Sequence, residues 1–158
     1  MVVKSLARRV LALGSALVTS SALLVVAAQQ PAAASTVRVV GTIDCLNNNY
    51  YGDTRDWYAE YASGGTSPSG TSKAMSAMTA IPATHAWQFD LTVPSSDTSV
   101  WVSARCSSGH QYGDFSGSGG ATIPAGVSVV NAVWGCTTAP VNPGPWVTTC
   151  SLQSVSYS

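Results

Sequence analysis

The run AWQFDLTVPSSDTSVWVSARC, residues 86–106, alternates twice around a central turn. In its first half Trp87, Phe89, Leu91 and Val93 point one way, and Gln88, Asp90 and Thr92 the other. In its second half Val100, Val102, Ala104 and Cys106 share one face, and Trp101, Ser103 and Arg105 share the opposite face. Side chains of a strand alternate across the sheet, so a period of two with one apolar phase marks a half-buried strand. Pro94-Ser95-Ser96-Asp97 is a turn signal, and the run predicts two strands joined as a hairpin. Trp87 falls in the core phase. Trp101 does not. It stands an odd number of residues from Cys106, so on a regular strand the two point to opposite faces.

Upstream, VRVVGTIDC (37–45) alternates in the same manner. Val37, Val39, Gly41, Ile43 and Cys45 lie on one face; Arg38, Thr42 and Asp44 lie on the other, with Val40. Cys45 and Cys106 therefore both occupy the apolar phase of a strand, as a buried bridge between strands requires. The other two cysteines, Cys136 and Cys150, flank TTAPVNPGPWVTT, whose centre Asn142-Pro143-Gly144 is a turn signal. Folding back about that centre sets them opposite one another. The expected pairs are Cys45–Cys106 and Cys136–Cys150. A zinc site is the competing use of four cysteines, but none of them are spaced as the close C-x₂-C pairs that such sites favour.

The remaining chain reads as strand and loop. Candidate strands are 36–46, 56–62, 86–94, 99–107, 111–116, 127–137 and 145–157. NNNYYGDTR (47–55) is a polar loop, and SGGTSPSGTS (63–72) is a low-complexity connection. KAMSAMTA (73–80) predicts two helical turns capped by Ser72, with Met75 and Met78 on one side. About seven short strands with frequent Ser, Thr and Gly predict an all-β fold, a small antiparallel β-sandwich held by two disulfides. A small β-barrel is the alternative.

Three pieces of this pattern resemble extracellular transthyretin-like domains: Gly41-Thr42-Ile43-Asp44-Cys45, Phe89-Asp90-Leu91, and the strand Val100 to Cys106. The resemblance spans about half of residues 35–158 and implies a secreted sandwich. The chain departs from it in carrying Arg105 where such domains often place an acid, and in its extra Cys136–Cys150 hairpin. The resemblance implies no catalytic residue, and a shared fold would not by itself supply a function.

The N-terminus has the order of a secretory signal peptide. MVVKSLARR is a positive n-region, residues 10–28 are mostly apolar, and Ala32-Ala33-Ala34-Ser35 offers an A-x-A cleavage site. Cleavage is expected after Ala34, with Ala28 as the second choice, so that 1–34 is a leader and 35–158 the exported domain. An uncleaved anchor is the competing reading, since the apolar run is just long enough to span a bilayer. Arg8-Arg9 raises twin-arginine export as an alternative to the general route. Without the leader the domain keeps four basic and seven acidic residues, a net charge of about −3. Such a surface neutralises no phosphate backbone, which excludes nucleic acid as a partner. No membrane contact is expected once the leader is gone.

Candidate chemistry is sparse. His110 precedes Asp114 by four residues, and His85 lies five before Asp90; a Ser–His–Asp site would need one of these. There is no G-x-S-x-G, and Gly117-Ser118-Gly119-Gly120 lacks the strand–turn–helix setting of a nucleophile elbow. Asp53, Asp56 and Glu60 cluster as paired glycosidase carboxylates do, with Tyr58 sharing the face of Asp56 and Glu60, and Tyr61 sharing that of Ala59. With Asn47, Asn48 and Asn49 the same acids offer oxygens to calcium, though not at the spacing of a known loop. A solvated strand face explains them more simply, so no metal, cofactor or catalytic residue is assigned. The aromatic supply is richer, with five Trp, six Tyr and two Phe. An outward Trp101 beside Ser103 and Arg105 has the make-up of a recognition surface. The sequence therefore predicts a secreted, non-catalytic protein that binds a carbohydrate, a cell-envelope component or another protein through these three residues. The alternatives are an inhibitor of a secreted hydrolase acting through loop 137–149, a small hydrolase, and a structural coat protein.

Overall fold

The structure, a computed structural model, describes residues 36–45, 58–107 and 113–158. The leader, the 47–55 loop with Asp53 and the three asparagines, Asp56 and His110 lie outside the described residues. Among the described residues nine strands follow in chain order: β1 (Thr36–Asp44), β2 (Tyr58–Ser67), β3 (Ser72–Ala74), β4 (Thr79–Ile81), β5 (Ala86–Pro94), β6 (Ser99–Ser107), β7 (Gly117–Thr122), β8 (Val129–Pro140) and β9 (Trp146–Tyr157). They form two open sheets, β4-β5-β1-β8-β9 and β3-β2-β6-β7, packed as a sandwich and not a barrel. The strand pairs are antiparallel except β1–β8, which run parallel.

The apolar phases read from the sequence are the buried ones. Val37, Val39 and Ile43 of β1 face Val100, Val102 and Ala104 of β6 across the core. At its centre Phe89 stacks near Trp134, with ring centroids 6.3 Å apart. Gly41 is the register partner of Phe89 on β1, and Gly64 lies opposite on the facing sheet. A Cβ on either glycine would clash with the Phe89 ring. One aromatic side chain thus fills the volume of three positions, which is how a small sandwich reaches interior packing density.

Both cysteine pairs form as expected. Cys45–Cys106 joins the two sheets, and Cys136–Cys150 staples register partners on β8 and β9. Cys106 lies beyond the last β6–β7 pair, Ala104–Gly117, so its backbone needs other partners. Two buried threonines of the facing sheet supply them. The Cys106 N–H donates to Thr148 Oγ1 at 3.1 Å, and Thr138 Oγ1 donates to the Cys106 carbonyl at 2.9 Å. Thr138 has then used its proton, so in the 2.7 Å contact between the hydroxyls Thr148 is the donor. The closed ring leaves no buried polar group of this set unpaired.

Several local expectations need correction. The Pro94–Asp97 turn closes no hairpin, because β5 and β6 belong to different sheets. Alternation tells which face a strand buries, not which strand it pairs with, and two apolar faces meet equally well across a core. Residues 73–80 are not helical beyond a single 3-10 turn at Met75–Ala77 between β3 and β4. Met75 and Met78 pack on the core as the chain crosses between sheets, and that burial overrides the weak helix preference. The low-complexity stretch 63–72 instead holds the end of β2, the turn at Gly70 (φ 74°) and the start of β3. The strand expected at 111–116 lies later, at Gly117–Thr122. Before it, Phe115 bridges to Val147 of β9, and β7 passes so near that a Cβ on Gly117 would strike the Thr148 carbonyl.

The crossover turn is held by Asp97, buried at 2% exposure. Its carboxylate accepts from Thr66 Oγ1 at 2.5 Å, Ser69 Oγ at 2.6 Å and Ser69 N–H at 2.8 Å. Burial opposes the charge, but these three hydrogen bonds outweigh it and hold the carboxyl below its ordinary range. A carboxyl depressed in the folded state stabilises above its unfolded pKa, near 3.9, and loses that contribution as pH falls through the folded value. Asp97→Ala should therefore cost about 2–3 kcal/mol at neutral pH. Thermal unfolding at about pH 7 and about pH 3 checks this, the gap from wild type narrowing in acid.

Candidate functional site

The outer face of the four-stranded sheet carries the three residues singled out in the sequence. Val100, Val102, Ala104 and Cys106 are buried, so Trp101, Ser103 and Arg105 point outward together. Register then shows what flanks them. Gly65 of β2 and Gly120 of β7 lie on either side of Trp101, and Ser63 and Ser118 on either side of Ser103. Tyr61 lies opposite Arg105.

Trp101 is 36% exposed and Tyr61 42%. A Cβ on Gly65 would come within 2.6 Å of Trp101 Cζ2, so the edge of the indole reaches over β2 where no side chain stands. The Tyr61 hydroxyl is 2.8 Å from Ser63 Oγ, which directs that ring along its own strand. Arg105 Nε is 3.0 Å from Glu60 Oε2, a partly exposed ion pair without hydrogen-bond alignment. Exposed pairs of this kind contribute little stability; here the pair cancels the charge of the face.

Simple alternation puts Tyr61 on the face of Ala59. A β-bulge between Ala59 and Tyr61 overturns this. Ala59 and Ala62 are both buried, three residues apart, and the extra residue turns Tyr61 out. Tyr61, Ser63, Gly65, Ser118 and Gly120 are the members that sequence reasoning missed. They come from neighbouring strands, and only register reveals them.

The other candidates do not assemble. Asp90 is held by Arg38 through Nε at 3.0 Å and NH2 at 2.6 Å, on the outer face of the other sheet. The hydrogen bonds from Arg38 lower the Asp90 carboxyl; burial opposes them, and the charges of Arg38 and Lys73 add to the lowering. Asp114 Oδ2 accepts the Trp146 N–H at 2.7 Å, a structural use. His85 sits in the turn between β4 and β5 at φ 52°. Among the described residues no three His, Cys, Asp or Glu gather as metal ligands. A surface cavity of about 200 Å³, lined by Val37, Ser95 and residues 124–128, contains no ionisable side chain.

The disulfide hairpin is tighter than loop 137–149 suggests. Strand pairing continues to Pro140 and Trp146, leaving five residues at the tip, closed by a 2.9 Å bond from Val141 N–H to the Pro145 carbonyl. Val141 (54%) and Phe115 (58%) are exposed. The two disulfides fit an oxidising environment. No helix among the described residues is long and apolar enough to cross a membrane. No protein-family model matches the chain, and neither a curated protein nor a solved structure shows significant similarity to it.

Proposed function

We propose that the chain is exported by its leader and acts without catalysis, as a binding module whose contact surface is the outer face of β3-β2-β6-β7. The observation that carries this is that Trp101 and Tyr61 stand exposed on one outer sheet face, with bare Gly65 next to the indole and serines on neighbouring strands. A fold that needed Trp101 for its core would have placed it in the inward phase. Flat, rigid aromatic rings bind with little loss of side-chain freedom, which is why Trp and Tyr dominate recognition surfaces. The test is retention on a crude envelope-and-matrix fraction of the producing cells. Wild type should be retained, and the double variant Tyr61→Ala, Trp101→Ala should elute. Equal retention of both would count against the face.

Export itself predicts a mature N-terminus at Ser35. Intact mass of protein recovered from culture medium checks this, and a membrane-held species keeping residues 1–34 would contradict it. The hydrolase-inhibitor reading is favoured by one observation, the exposed Val141 and Phe115 beside a hairpin clamped by Cys136–Cys150. A preformed loop loses little entropy on binding. Co-purification with a secreted protease or amylase would favour that reading over the sheet face.

A further inference from the structure

The proposal rests on reading the outer face of β3-β2-β6-β7 as the contact surface, and it concerns what that surface takes. We infer that its ligand is an extended, uncharged polysaccharide, seated with its sugar rings on Trp101 and Tyr61. Three features of the face select this chemistry.

The first is the open aromatic surface. The Trp101 indole reaches over Gly65, where no side chain stands, and is 36% exposed. Gly120 on the next strand puts no side chain beside it. An open aromatic face accepts the C–H face of a pyranose as it accepts any flat apolar group. Tyr61 gives a second exposed ring on β2, its backbone four residues from Gly65 and its hydroxyl reaching back to Ser63. Two separate platforms on one face suit a chain of sugar units rather than a single one.

The second is what lies between the platforms. Beside Ser63, which is buried and engaged with the Tyr61 hydroxyl, Ser103 and Ser118 form a row across β6 and β7. Each hydroxyl both donates and accepts, which matches the hydroxyls of a sugar without demanding a fixed charge. Serine is depleted at the centres of protein–protein contacts, so this row favours a glycan over a protein partner.

The third is charge. The ionic groups placed on this face, Glu60 and Arg105, lie 3.0 Å apart and offset each other. Among the described residues the face therefore carries no net charge to draw phosphate, sulfate or uronate polymers.

Purified oxidised protein, sedimented with cellulose, chitin and an insoluble β-1,3-glucan at low and high salt, tests this. Retention on at least one of the three is expected, unaffected by salt. Trp101→Ala and Tyr61→Ala should each weaken it about tenfold, while Phe115→Ala, an exposed aromatic elsewhere, should leave it unchanged. No retention on any of the three, or retention that survives both substitutions, overturns the inference. The envelope-fraction experiment then separates the two levels. If Trp101→Ala still abolishes retention there, the face binds something other than a neutral glycan and only this inference falls. If envelope retention is also indifferent to Trp101, the reading of the face falls with it.

Discussion

Phe89→Ala should destabilise the domain by about 3–5 kcal/mol, the usual cost of removing a buried aromatic ring. The upper half of that range is expected, because the cavity cannot close. The two nearest walls are Gly41 and Gly64, which have no side chains to move inward, and a third is the ring of Trp134, itself fully buried. Against a total of about 5–15 kcal/mol for a domain of this kind, the variant would be barely folded. Urea unfolding measures the loss. A coupled variant sharpens it. Gly64→Ala alone should destabilise, since its Cβ meets the Phe89 ring. Added to Phe89→Ala, the same methyl enters the vacated space and should recover part of the loss. Additive penalties would show that Phe89 and Gly64 do not share one volume.

Removal of the Cys45–Cys106 bridge should cost about 4 kcal/mol, against about 3 kcal/mol for Cys136–Cys150. In the chain-entropy account the difference follows from the residues each bridge closes, 61 and 14. Topology adds to it. Cys45–Cys106 links the two sheets, whereas Cys136 and Cys150 already sit opposite one another on paired strands. The double variants Cys45→Ala, Cys106→Ala and Cys136→Ala, Cys150→Ala, compared by thermal unfolding, test the ranking. A larger loss for the hairpin bridge would contradict it.

What the sequence made legible was whatever depends on the period of a single strand. AWQFDLTV and SVWVSARC show their buried faces by alternation alone, and the phases of Cys45 and Cys106 led to the inter-sheet bridge. Trp101, Ser103 and Arg105 came out on one face by the same logic. Pairing was not legible, because hydrogen bonds between strands distant in sequence leave no local trace. The parallel β1–β8 pair and the separation of β5 from β6 across the core both belong to this class. Strand β7, GSGGAT, carries no propensity signal, yet glycine is required where Gly117 meets the β9 backbone. The bulge at Glu60 defeated the alternation argument for Tyr61. The surface therefore appeared in the sequence as one strand's worth of residues, and its other members entered with the register.

Whether Trp101 serves the surface rather than the core is tested most directly by thermal unfolding of Trp101→Ala beside Phe89→Ala. The Trp101 indole stands at the water boundary on Gly65, so its removal leaves a dimple that solvent fills instead of a void. A loss below about 2 kcal/mol is expected, or less than about 8 °C at roughly 4 °C per kcal/mol for a domain of this size. Phe89→Ala should lose about 12 °C or more on the same scale. Equal losses for the two variants would make Trp101 a structural residue and leave the proposed binding face without its principal contact.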